Sequence, residues 1–200
     1  QRRPFLFGLL LILTAMILFS GIMAVFRSLT GSSRLGARIG VATVEGLIAD
    51  SREVTEFLKE LRENPAVKAV VLRVNSPGGV VGPSQEIHRA VARLAKEKPV
   101  VVSMGALAAS GGYYVSCPAA RIVANPGTIT GSIGVKMELA NVEDLAGKLG
   151  VGQEVIASGP YKGAISPLRK LTPEARGYLE AMVMDMHEQF VTDVRSEEHT

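Results

Sequence analysis

The chain has 200 residues, enough for one domain with short appendages, and its hydrophobic fraction of 47% is sufficient for a buried core. The formal net charge of +3 is small and scattered, and aromatic residues make up only 5% of the chain, so nucleic acid is not an expected partner. The single cysteine, Cys117, excludes an internal disulfide bond, and its apolar neighbours predict a small buried side chain.

The N-terminus predicts a membrane anchor. Residues 4–26 contain no charged side chain and are dominated by Leu, Ile, Phe, Met and Ala. About 20 such residues span the apolar core of a bilayer, whereas the apolar part of a cleavable signal peptide has about 7–15 residues. We therefore expect an uncleaved transmembrane signal anchor over residues 4–26, with residues 1–3 in the cytoplasm and the rest of the chain exported.

After the anchor, a linker over residues 27–38 precedes a region in which strands alternate with helices. The apolar periodicity predicts strands over residues 39–44, 67–74, 99–104, 121–124 and 154–157. It predicts helices over residues 51–63, 84–96, 108–116, 141–149 and 173–194, the last with Thr172 as its N-cap. This alternation predicts an α/β fold with a mostly parallel sheet.

The C-terminal hexapeptide RSEEHT, residues 195–200, interrupts the apolar pattern of the last helix. One frame of a common sequencing adapter would encode the same six residues. We interpret them as an artefact or a disordered tail, with a genuine polar helix end as the alternative.

Two glycine-rich segments, NSPGG (75–79) and GALAASGGYY (105–114), follow neighbouring predicted strands. In parallel sheets the chemistry lies at this carboxyl edge. Glycines allow close backbone approach, and free N–H groups at a helix start stabilise an oxyanion. We therefore expect Ser110 to be a nucleophile, with the N–H groups of Gly79 and Gly111 as oxyanion donors. Alone, each segment would more simply be a helix-capping serine or a Pro-Gly turn; together they favour a site.

A serine nucleophile needs a base, and the candidate is Lys162, 52 positions after Ser110 in SGPYKG (158–163). A buried lysine amine can take the hydroxyl proton because burial favours its neutral form. Ser132 can hydrogen-bond that amine and orient it, although a turn serine is the simpler interpretation. The spacing does not show that Lys162 reaches Ser110, and most lysines are solvated surface residues.

A Ser-His-Asp triad is the rival interpretation. His88 and His187 both fall inside predicted helices, and Ala108 occupies the position of the first glycine of a G-x-S-x-G elbow. The sequence also has no zinc-ligand spacing and no Walker or G-x-G-x-x-G pattern after a strand. We therefore favour a Ser-Lys dyad and expect neither a metal nor another cofactor.

Four ordered segments resemble the signal peptide peptidase A (protease IV) family: VLRVNSPGGVVGPSQEIHRAV, VVSMGALAASGGYYVSC, NPGTITGSIGV and SGPYKGAISP. The similarity covers about residues 39–194, which it implies to be a peptidase domain lacking its C-terminal portion. It implies a fold similar to that of crotonases and Clp proteases, with stacked ββα units. It further implies a membrane-anchored serine endopeptidase on the extracytoplasmic side of a bacterial inner membrane, which degrades cleaved signal peptides within their apolar segment.

The resemblance also implies a role for each candidate residue. Ser110 would be the nucleophile, Lys162 the general base, Ser132 the hydroxyl that orients the lysine, and Gly79 and Gly111 the oxyanion donors. Members of the family form dome-like rings, octameric in the short bacterial form, and the dyad can be completed across a subunit boundary. The implied partners are signal peptides and other apolar peptides, the lipid bilayer and further copies of the chain.

Three other functions stay open at this point. The chain can be an inactive, membrane-anchored binding homologue of the same fold, or a peptidase that removes other membrane protein fragments. It can also be a crotonase-type acyl-CoA enzyme, in which paired N–H donors hold a thioester. The anchor, and a lysine in place of acidic catalytic residues, argue against this last function.

Overall fold

Five parallel strands form the sheet on which the domain is built. A computed structural model describes residues 4–31 and 36–196, with the side chains of residues 8, 11–26 and 36–196. The helices are α1 (Pro4–Gly31), α2 (Arg52–Glu63), α3 (Val81–Ala95), α4 (Gly111–Tyr114), α5 (Glu143–Lys148) and α6 (Pro173–Ser196). The strands are β1 (Arg38–Glu45), β2 (Val67–Ser76), β3 (Val100–Ala109), β4 (Arg121–Val123) and β5 (Ile129–Gly131).

The strand order is β1-β2-β3-β4, and β5 also pairs with β3. β4 pairs with β3 opposite residues 101–103, and β5 pairs with it opposite residues 107–109. Because every pairing is parallel, the carboxyl ends of the strands lie at one edge. The predicted parallel α/β sheet is confirmed, while the finer expectation of stacked ββα units stays a prediction.

Alternation of side chains along the strands explains how the core forms. In β2, Val70, Leu72 and Val74 are buried, whereas the residues between them are half-buried or exposed. The apolar stripes of α2 and α3 pack on this face of the sheet, with Leu58 and Val91 in the same buried cluster. Burial of β-branched and leucine side chains between a sheet and two helices therefore holds the domain together.

The observed elements differ from the predicted ones mainly at their ends. β3 continues to Ala109, because it pairs with β2 as far as Ala108 and with β5 beyond the predicted end. The predicted helix over residues 108–116 is consequently reduced to α4. α3 begins at Val81, three residues before its predicted start.

Two strand predictions were wrong. β5 is absent from the predicted elements, since three residues are too few to show an alternating pattern. The predicted strand over residues 154–157 does not form, and residues 151–157 have no regular secondary structure.

The N-cap prediction is confirmed, because the N–H of Ala175 donates to Oγ1 of Thr172 at 3.2 Å. The predicted burial of Cys117 is also confirmed.

The two ends of the chain are described only in part. α1 is a helix of 28 residues, and its side chains over residues 11–26 are exposed. Within the described part of the chain, no helix has the length and apolar character that crossing a membrane requires. Three parts of the predicted organisation lie outside the described residues: residues 1–3 of the N-terminus, residues 32–35 of the linker and residues 197–200 of the C-terminal hexapeptide. The last helix, α6, continues to Ser196.

A matched pair of valine substitutions tests the buried face. Val70 is 1% exposed and Val41, on the neighbouring strand, is 58% exposed. We expect Val70→Ala to lower the free energy of unfolding by about 2 kcal/mol, from lost transfer energy and a residual cavity. Val41→Ala should change it by less than about 0.5 kcal/mol. Urea unfolding followed by circular dichroism measures both, and equal effects would contradict the assigned packing.

Candidate active site

Two glycine-rich turns meet where β2 and β3 end. The ladder between these strands closes with Ser76 opposite Ala108. A Cβ atom built on Gly78 would lie 2.5 Å from the nitrogen of Gly111, and one built on Gly111 would lie 3.3 Å from the nitrogen of Gly79. Side chains would force the two turns apart, so glycine is required at the point of contact. The structure thus brings both predicted oxyanion donors, Gly79 and Gly111, together.

The N–H groups of both glycines are free to bind a ligand. Among the described residues, neither donates to a protein acceptor. Gly111 is the first residue of α4, so its N–H has no partner within the helix. Gly79 is held from both sides, because the N–H of Ile48 donates to the carbonyl of Gly78 and the N–H of Val80 donates to the carbonyl of Ile48. These bonds fix the backbone around Gly79 without using its own N–H.

The turn that contains Gly79 is further fixed by a buried serine. The hydroxyl of Ser76 donates to the carbonyl of Gly46 at 2.6 Å and accepts from the N–H of Gly78 at 3.0 Å. Gly78 itself has a φ of 91°, which favours glycine. The hydrogen bonds of Ser76 therefore tie this Pro-Gly turn to β2 and to the loop after β1.

Ser110 connects β3 to α4 in a conformation that is unusual for a residue with a side chain. Its φ is 50° and its ψ is −121°, a strain of about 1–3 kcal/mol. The N–H of Ser110 donates to the carbonyl of Gly131 at 2.8 Å, and its carbonyl accepts from the N–H of Tyr114 at 2.9 Å. Although Ser110 is the N-cap of α4, its hydroxyl makes no capping hydrogen bond. This distinguishes it from a serine that only caps a helix.

Ser110, Gly79, Gly111 and Ser132 all line one cavity of about 820 Å³. The other lining residues are mainly apolar: Leu47, Pro77, Gly78, Val80, Val81, Ser84, Gln85, Tyr114, Ile133, Gly134, Val135, Lys136, Met186 and Phe190. Sequence analysis did not assign Leu47, Tyr114, Met186 or Phe190 to the site. The cavity is large enough for a short peptide segment and favours apolar side chains.

Lys162 does not line this cavity. It lies in an exposed turn, where its N–H donates to the carbonyl of Gly159 at 3.2 Å, and no hydrogen bond joins it to Ser132 among the described residues. The described residues therefore do not form the sheltered environment expected for its amine. The lysine in the cavity lining is Lys136, whose side chain is 81% exposed and whose Nζ lies 2.7 Å from Oε1 of Glu138.

The histidines do not support a triad. His88 is buried on α3, where its ring stacks on that of Tyr114 with centroids 4.3 Å apart. Neither His88 nor His187 belongs to the lining of the Ser110 cavity. Among the described residues, no histidine is therefore placed to act as the base for Ser110.

Comparison with known proteins shows the family of this chain. The model of peptidase family S49 matches residues 92–199, which is more than half of the chain. The chain belongs to peptidase family S49. Protease 4 of Salmonella typhi is 38% identical over 175 residues, which cover 82% of this chain and 28% of that protein. The resemblance to the signal peptide peptidase A (protease IV) family is thereby confirmed.

Other relatives of this S49 chain extend the comparison. A relative from Methanocaldococcus jannaschii is 44% identical over 150 residues, which cover 75% of this chain and 48% of the relative. The chain thus spans about half the length, or less, of these curated relatives. Among solved structures, ClpP1 from Listeria monocytogenes has a TM-score of 0.36 and 22% identity, covering 40% of this chain and 46% of that one.

A glycine substitution tests the oxyanion donors of this S49 chain. In Gly79→Ala the new Cβ would overlap the carbonyl of Ile48, so the turn must shift and carry the N–H with it. We expect the rate at which a fluorophosphonate labels Ser110 to fall by about 10²–10³. Gly82→Ala is the matched control, because its Cβ meets nothing within 4 Å. Equal labelling of the two variants would show that the N–H of Gly79 is not a donor.

Proposed function

We propose that this S49 chain is the catalytic part of a membrane-anchored serine endopeptidase that cleaves apolar peptides, including signal peptides released from preproteins. The observation that carries the proposal is the position of Ser110, whose uncommitted hydroxyl shares one cavity with the free N–H groups of Gly79 and Gly111. This arrangement offers a nucleophile and two donors for a tetrahedral oxyanion. An inert binding homologue would have no need of the strained Ser110 backbone.

The proposed reaction has two halves. Lys162, in its neutral form, removes the proton of Ser110 as Oγ attacks the carbonyl carbon of the peptide bond. The oxyanion accepts hydrogen bonds from Gly79 and Gly111, and the lysine ammonium then protonates the leaving amine. Water, deprotonated by the same lysine, hydrolyses the acyl-enzyme and restores Ser110. Ser132, which lines the cavity, would orient the amine as the family resemblance implies.

The base is proposed to come from a neighbouring copy of the chain. Lys162 lies outside the Ser110 cavity and is exposed, as are several apolar side chains within residues 149–165. Among these, Ile156 is 97% exposed, and Leu149, Tyr161 and Ile165 are also exposed. Apolar surface of this kind favours association, and packing against a second subunit would shelter the amine. The family resemblance implies a ring, with eight copies in the short form.

The apolar lining supports apolar peptides as substrates. Val80, Ile133 and Phe190 come from three separate parts of the chain and face the same cavity as Ser110. Leucine- and alanine-rich segments of signal peptides would bury their side chains against such a lining. A location in a membrane would bring the site close to these substrates.

Complementation between inactive variants tests the shared dyad. We expect Ser110→Ala and Lys162→Ala each to abolish cleavage of a signal peptide while leaving the fold intact. When the two are co-expressed, about a quarter of wild-type activity should return, because one interface in four then pairs an intact serine with an intact lysine. Cleavage is followed by mass spectrometry of the peptide products.

Lys136→Ala is the matched control for the base, since Lys136 lines the cavity of its own chain. It should retain most of the activity. Loss of activity in Lys136→Ala, or failure of the mixed variants to recover, would overturn a base donated by a second copy. Turnover of an acyl-CoA thioester without peptide cleavage would instead favour the crotonase-type function.

The anchor is proposed for residues 4–26 on the basis of their uncharged apolar sequence. We expect the full chain to stay in the membrane pellet after alkaline carbonate extraction, and a chain that begins at residue 36 to be released. The double variant Leu13→Arg, Leu18→Arg keeps the length of the segment but adds about 2.5–3.5 kcal/mol of insertion cost per arginine, so it should also be released. Release of the unmodified full chain would contradict the anchor.

A further inference from the structure

We propose that Tyr114 is a positioning residue for the site: by tying α4 to α3 and α6, it holds Ser110 and the N–H of Gly111 in place. The inference rests on the proposed function, because it assigns a role within the same site. Tyr114 acts through the backbone that it fixes, and it need not touch the reacting atoms.

The need for such a residue follows from the weakness of α4. This helix has only four residues, Gly111–Tyr114, of which two are glycine. A helix of one turn is not stable by itself, and glycine lowers helix stability further. Yet α4 begins with the N–H of the proposed donor Gly111 and follows the strained Ser110 directly. Contacts from outside the helix must therefore fix its position.

Tyr114 supplies these contacts from three directions. Its ring stacks on His88 of α3, with centroids 4.3 Å apart and planes at 15°. It meets the edge of Phe190 of α6 at 4.8 Å and 72°. Its hydroxyl donates a hydrogen bond to the carboxylate of Asp193, also on α6. The side chain at the end of α4 is thus held between the two longer helices.

The immobilised ring is linked to Ser110 by one hydrogen bond of the backbone. The N–H of Tyr114 donates to the carbonyl of Ser110 at 2.9 Å, which closes the single turn of α4. Burial, and then the hydrogen bond to Asp193, raise the pKa of the Tyr114 phenol above its usual range. The phenol therefore stays protonated and remains a donor at physiological pH.

The same contacts fix the wall of the cavity. Met186 and Phe190 of α6 line it, and Gln85 of α3 donates to Gln189 of α6 at 3.1 Å as a second tie between these helices. Loss of the bond between Tyr114 and Asp193 would loosen α4 and α6 together. The reactivity of Ser110 should then fall more than the affinity for the peptide.

The test compares Tyr114→Phe, which keeps the ring and removes the hydroxyl, with Asp193→Ala and the double variant, all in the full chain. We expect each single variant to lower kcat and the rate of fluorophosphonate labelling of Ser110 about tenfold, with KM changed less than twofold. Since both remove one bond, the double variant should be no slower than either single variant. Asp193→Asn keeps an acceptor and should restore most of the rate.

Val194→Ala is the matched control, because Val194 packs in the same buried cluster as Tyr114 and Phe190 but does not line the cavity. It should lower Tm while leaving kcat and labelling unchanged. Normal labelling of Tyr114→Phe, or an equal loss of rate in Val194→Ala, would overturn the positioning role while leaving the proposed function standing. Absence of labelling in the wild-type chain would overturn the proposed function and this inference with it.

Discussion

The site depends on how closely two segments of backbone approach each other at the end of the sheet. A Cβ atom on Gly105 would lie 2.6 Å from the side chain of Asn75, and one on Gly112 would lie 2.7 Å from the carbonyl oxygen of Ser76. The end of β3 and the start of α4 are therefore packed against the end of β2 at both positions, and not at one point only. Because β2 and β3 are parallel neighbours, both segments leave the sheet at the same edge. Because the residues at the contacts are glycines, the backbones come close enough to place two N–H groups next to each other.

The strained backbone of Ser110 is stabilised by β5, the strand that the sequence patterns did not predict. β5 has three residues, but its last carbonyl, on Gly131, accepts the hydrogen bond from the N–H of Ser110. Gly131 and Ser132 both have positive φ, at 75° and 54°, so the chain turns sharply after β5 and Ser132 enters the cavity lining. A short edge strand thus fixes the nucleophile from one side, while α4 fixes it from the other. Surrounding structure of this kind is what allows a strained residue to persist.

Sequence patterns predicted the features that neighbouring residues encode, whereas contacts between distant residues determined the other features. The alternating strands and the two glycine-rich turns are visible in the sequence because each is encoded within about ten residues. The contact between Tyr114 and Asp193 joins residues 79 positions apart, so no window reveals it. The segment 154–157 has β-branched residues, but it pairs with none of the strands in the described part of the chain, and Ile156 is left exposed. β-propensity describes how well a residue fits into an existing sheet, and by itself it does not form a strand.

The position of Lys162 is the feature for which the expectation from sequence and the structure of a single chain differ most. Residue type and spacing can nominate a base, but the shelter that would favour its neutral form depends on what packs against it. In the proposed mechanism that packing comes from a second copy, so an isolated chain holds a nucleophile and an oxyanion site without a base. Such a chain would be nearly inert towards peptides, and activity would appear only on assembly. For the proposed peptidase, this dependence would confine cleavage to assembled subunits.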